Sequence, residues 1–107
     1  MAWLYLIVAG LLEIVWAFFM KKSMGFTVLV PSVITIVTMV ISFGLLSVAM
    51  RTLPLGTAYA VWVGIGAFGA FVLGVVLLGE ALTPMRVAAA GLIVLGIILM
   101  KVSSMTE

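Results

Sequence analysis

The chain of 107 residues contains no cysteine and no histidine. Disulfides and thiol chemistry are therefore excluded, and metal sites and histidine-based acid–base catalysis lack their usual donors. Charge is the next scarcity. Asp, Glu, Lys and Arg make up 7% of the residues, against about 25% in a soluble domain. Hydrophobic residues reach 67% and the mean hydropathy is +1.56, the composition of a membrane protein. The apolar tracts do not alternate as the strands of an outer-membrane barrel do, so helices are expected. The pI near 9.4 comes from a few loop cations and marks membrane flanks, not nucleic-acid contacts.

The charges that do occur are Glu13, Lys21, Lys22, Arg51, Glu80, Arg86, Lys101 and Glu107. Between them lie tracts long enough for one span each, since a helix needs about 20 apolar residues to cross a bilayer. We expect a single all-α transmembrane domain over residues 1–107, with spans at roughly 3–20, 31–50, 57–78 and 85–100. The last is short, and Arg86 and Lys101 extend it by snorkelling. Pro31 reads as a helix start, Arg51–Gly56 as a turn, and Thr83–Pro84 as an N-cap and first helical position. The first span lacks the basic N-terminal region of a signal peptide and carries a glutamate in its apolar part.

That glutamate, Glu13, is the most informative residue. A carboxylate at bilayer depth costs about 2.5–3.5 kcal/mol on insertion scales and marks a functional site by default. No cation lies within any span to pair with it. Residues three and four apart share a helix face, which places Gly10, Trp16 and Ala17 beside Glu13. The indole of Trp16 offers an N–H to the carboxylate or a π-face to a cation. The second span adds Ser42, flanked by Met39, Phe43 and Leu46, which either serves the site or bonds its own backbone one turn back. The third adds Tyr59 and Trp62, as site residues or as interface anchors, the role expected of Trp3 and Tyr5. Gly64 and Gly66 read as packing positions or a hinge, and Gly91 and Gly96 as a surface for close helix approach between copies.

Topology supplies a second result. With four spans, Arg51 and Lys101 share one side, and Lys21, Lys22 and Arg86 the other, which is almost no positive-inside bias. Such a chain inserts in either orientation. Two opposed copies form an antiparallel, dual-topology dimer, the equivalent of the inverted repeats that many transporters build within one chain around a midplane site. Two Glu13 residues then surround one site. No intramembrane nucleophile–base pair is present, so an enzyme is not expected; a structural or regulatory membrane protein is the alternative outside transport.

These features together resemble the small multidrug resistance family. The matching residues are Glu13, Lys22-Ser-Met-Gly25-Phe-Thr, Pro31-Ser32, Leu53-Pro54-Leu-Gly56-Thr-Ala-Tyr59-Ala-Val-Trp62-Val-Gly64-Ile-Gly66 and Gly79-Glu80. Glu13-Ile-Val-Trp16 resembles the guanidinium-exporter subtype; the polyaromatic-cation exporters typically carry Gly in place of Trp16. The resemblance implies a proton-coupled antiporter of the bacterial inner membrane, working as an antiparallel dimer. No cofactor is implied, and the partners are guanidinium-type cations, protons and membrane lipid. Glu13 would be the shared proton and substrate site, supported by Gly10, Trp16, Ser42, Tyr59 and Trp62. One departure is Val63, where the family usually has Thr or Ser. A broader quaternary-ammonium exporter and one subunit of a paired heterodimer are the alternatives within the family.

The implied chemistry suits these residues. Guanidinium is planar and presents N–H donors in forks that match a carboxylate. Two Glu13 side chains would grip it from both sides, and Trp16 or Trp62 would add cation–π attraction. The two carboxylates would titrate as a unit, with protons and cation competing for the same oxygens.

Overall fold

The computed structural model describes residues 2–105. It consists of four helices: α1 (Ala2–Lys22), α2 (Leu29–Ala49), α3 (Leu55–Leu77) and α4 (Pro84–Met105). Each is long and apolar enough to cross a membrane. At about 1.5 Å per residue, each matches or slightly exceeds a hydrocarbon core about 30 Å thick.

The helix ends differ from expectation by a few residues, for local reasons. Lys21 and Lys22 belong to the last turn of α1, where positive charge meets the negative end of the helix dipole. α2 starts at Leu29, so Pro31 is its third residue rather than its first. The missing N–H is harmless there too, because the first four helical N–H groups have no intrahelical partner. α3 starts directly after Pro54 and includes Gly56, shortening the expected turn. α4 runs one turn past Lys101. Thr83 caps it as expected: Arg86 N–H donates to Thr83 Oγ1 at 3.1 Å.

The α1–α2 connection contains three successive left-handed residues, Met24 (φ 51°), Gly25 (φ 75°) and Phe26 (φ 66°). Two of them pay a steric penalty that glycine avoids. Ser23 offsets it. Fully buried, its Oγ donates to the Met20 carbonyl at 2.7 Å and accepts from Phe26 N–H at 3.0 Å. At the end of α3, Gly79 (φ 70°) turns the chain so that Glu80 N–H reaches back to the Gly74 carbonyl at 2.9 Å.

α1 lies between α2 and α3, which touch each other only briefly, and α4 packs mainly on α3. The molecule measures 45 × 34 × 16 Å, little more than one helix diameter in its thinnest direction. Its core joins α1, α2 and α3 through Leu6, Ala9, Leu46, Ala49, Ala58, Val61 and Trp62. Hydrocarbon supplies no hydrophobic force between spans, so they associate through close van der Waals packing at small residues. Ala9, Ala49 and Ala58 serve this purpose and are fully buried. Gly69 receives Ile14 so closely that a Cβ at position 69 would overlap its side chain.

Gly69→Val should therefore weaken the α1–α3 seam, lowering unfolding stability in detergent by about 1–3 kcal/mol. An unfolding midpoint unchanged from the wild type would contradict this packing role.

Candidate functional site

Glu13 lies midway along α1, on the side facing α3. Opposite it, α3 presents Gly66, where a Cβ would overlap Glu13 Oε1, Cδ and Cγ. The missing side chain at position 66 is what lets the carboxyl group lie against the α3 backbone. One turn earlier on α1, Gly10 receives Ile65, the residue before Gly66, with a would-be Cβ only 2.8 Å from Ile65 Cβ. Gly64 faces the other way and receives Ile93 and Ile97 of α4. α3 runs as one continuous helix through Gly64 and Gly66, with both occupied in packing.

Two buried polar atoms have no hydrogen-bond partner among the described residues: Glu13 Oε1 and Trp16 Nε1. Each such atom costs about 1–3 kcal/mol. They do not bond each other, contrary to one of the options the sequence leaves open for Trp16. Both survive as an acceptor and a donor on one face of α1.

Ser42 does not bond its own helix. Its Oγ donates to the Ala9 carbonyl of α1 at 2.7 Å and accepts from Trp62 Nε1 of α3 at 3.1 Å. One hydroxyl thus ties three helices together, with Ser42 fully buried and Trp62 nearly so. Trp62 packs into the core of α1, α2 and α3 and does not face outward. Tyr59 is half-exposed and leans on Trp62 with ring centroids 5.7 Å apart. Sequence reasoning placed Phe43 beside Ser42 without giving it a role. In the fold it links the two tryptophans, 6.2 Å from Trp16 and 5.6 Å from Trp62. The result is an aromatic row, Trp16–Phe43–Trp62–Tyr59, drawn from three helices. The Ala9 carbonyl was equally absent from the sequence reading, since a backbone acceptor carries no sequence signal.

Comparison with known proteins fits this geometry. The family model described as Small Multidrug Resistance protein matches residues 1–95. The chain belongs to the small multidrug resistance family. It is 58% identical over 104 residues to proteins named guanidinium exporter from Escherichia coli K12, Citrobacter freundii and Salmonella typhimurium, covering 97% of this chain and 99% of each relative. It is accordingly a multi-pass protein of the bacterial inner membrane.

Within this small multidrug resistance protein, one position expected near the site lies elsewhere. Val63 lines an apolar groove between α3 and α4, with Tyr59, Gly64, Ile93 and Ile97. Gly91 and Gly96 have open space where a side chain would project. Most of α4 is exposed, with Ala90 its buried apolar residue.

Removing the Ser42 hydroxyl strands a buried indole N–H. Ser42→Ala should lower stability by about 1–3 kcal/mol and alter tryptophan emission, read by fluorescence-detected unfolding. Wild-type stability and emission would show that the three-helix junction does not depend on this hydroxyl.

Proposed function

We propose that this protein is a proton-coupled antiporter that exports guanidinium or small guanidinylated cations, working as an antiparallel homodimer. The observation that carries the reading is the Glu13 Oε1 acceptor, buried and unpartnered at mid-span, in the space that Gly66 leaves. A planar cation with N–H donors supplies the bonds that this oxygen lacks. Guanidinium has no acceptor, so the Trp16 Nε1 donor is available to a carboxylate, such as that of a second copy. The aromatic row beside it offers π-faces to the cation. The names of the close relatives point to the same cargo.

A second copy follows from shape and charge. Glu13 as a whole is only partly buried, and a slab 16 Å thick does not enclose a whole cation beside it. The near-balanced loop charges permit insertion in both orientations. The open α4 face with Gly91 and Gly96 is the surface we assign to contact between copies. Coupling then arises from competition. Two carboxylates that share a site titrate together, and a proton or a cation occupies them but not both. If the dimer reorients mainly when loaded, an inward proton gradient drives cation outward.

Glu13→Gln should abolish proton-coupled transport in reconstituted vesicles while leaving a folded dimer by size-exclusion chromatography; full coupled transport in this variant refutes the mechanism. Guanidinium binding to the wild type should release protons and weaken as pH falls, because protons and cation take the same oxygens. A pH-independent affinity by calorimetry would separate the two sites. Gly66→Ala, which places a methyl group where the carboxyl group lies, should reduce guanidinium affinity at least tenfold, while Trp16→Gly should weaken guanidinium export and admit bulkier cations. Unchanged affinity or unchanged cation preference in the respective variant counts against these roles.

A further inference from the structure

At the end of the molecule opposite the α3–α4 loop, a cavity of about 540 Å³ opens where the start of α1 meets the α2–α3 connection. Its walls include Trp3, Tyr5, Val48, Arg51, Thr52 and Leu53. Arg51 follows Met50, the C-cap of α2, and is exposed. Its guanidinium carries five N–H donors. Arg51 makes no ion pair among the described residues. The carboxylates described are Glu13, deep in α1, and Glu80, held 3.9 Å from Arg86 at the far end of the helices. Beside the cavity, Lys101 Nζ lies 4.4 Å above the Trp3 ring, bringing a second positive charge from α4. Two cations, a Thr hydroxyl and two amphipathic aromatics thus meet at the depth where lipid headgroups lie.

We infer that this cavity is a binding site for the phosphodiester headgroup of an anionic phospholipid. Arg51 recognises phosphate oxygens through its fork of N–H groups, Thr52 adds a hydroxyl donor, and Lys101 contributes charge. Trp3 and Tyr5 line the site as amphipathic residues suited to the membrane interface. Basic pockets between spans bind acidic headgroups in this manner. A cationic cargo is repelled by the same charges, so the site is distinct from that of Glu13 and independent of the cargo assigned to it. The cavity also has mechanical reach. Trp3 and Leu53 pack against the core that contains Ala9, whose carbonyl holds Ser42. A headgroup seated there braces the junction of α1, α2 and α3 from its end. In oppositely inserted copies, the site faces both leaflets.

The test uses purified full-length protein in neutral detergent, with the unfolding midpoint followed against added phosphatidylglycerol, phosphatidylcholine or inorganic phosphate. Phosphatidylglycerol should raise the midpoint of the wild type, while phosphatidylcholine and inorganic phosphate at equal concentration should not. Arg51→Gln should weaken the apparent phosphatidylglycerol affinity about tenfold, Arg51→Lys less, and the pair Lys21→Gln, Lys22→Gln on the opposite side should leave it unchanged. An equal response of Arg51→Gln and wild type overturns the site. An equal effect of phosphatidylcholine overturns the headgroup charge, and one of inorganic phosphate overturns the lipid source. An equal loss in the Lys21, Lys22 variant replaces the site with diffuse surface charge.

Discussion

A carboxyl group at mid-membrane depth needs space, and in this protein the space comes from a neighbouring helix that presents no side chain. Glu13 lies against the bare backbone of α3 at Gly66, where even a methyl group would overlap it. The α1–α3 seam is built around that contact. Gly10 takes Ile65 on one side, and Gly69 takes Ile14 on the other, so the two helices approach closely along the seam. Close approach is the main source of affinity between spans in lipid. The packing that holds the seam together and the space that houses the carboxylate are therefore the same feature.

The second helix enters this arrangement through one hydroxyl. Ser42 accepts a hydrogen bond from the Trp62 indole N–H and donates one to the Ala9 carbonyl, satisfying two buried groups and fixing the orientation of Trp62. Phe43, next in sequence, carries the aromatic row across to Trp16. The contrast with Glu13 Oε1 and Trp16 Nε1 is informative. Where the structure has a purely architectural need, as at Ser42, its polar atoms are paired; the two buried side-chain atoms left unpaired among the described residues share the face on which the proposed cation exchange takes place. α4 packs mainly on α3, reaches α1 where Lys101 lies over Trp3, and leaves Gly91 and Gly96 open. Its exposure leaves room for the proposed second copy, and its Lys101 stands beside the proposed headgroup site.

Much of this was legible in the sequence because the bilayer imposes simple rules. Uncharged tracts between sparse cations marked the four spans, and the observed helix ends depart from them by a few residues, where Pro31, Gly56 and the paired lysines are accommodated within helices. The Thr83 cap was legible because capping is local chemistry. Glu13 stood out because a charge is costly in hydrocarbon, and its α1 neighbours Gly10 and Trp16 follow from helical spacing. Burial of Trp62 beside exposed Tyr59, three residues away, was not legible; both sit near the start of their span, where either an anchor or a site residue fits.

By itself the sequence determined the all-α class, the number of spans, the one carboxylate that hydrocarbon makes costly, and the near-balance of loop charges. Each of these depends on residue identity and spacing along one chain. Only the tertiary structure decided that Gly66 faces Glu13 while Gly64 faces α4, that Ser42 bonds α1 and α3 and not its own helix, that Phe43 joins the tryptophans, and that Val63 belongs to a separate groove. These are relations between helices. Their rotation and depth are set by how side chains interlock across a seam, and uniformly apolar spans carry no periodic signal from which that rotation can be read.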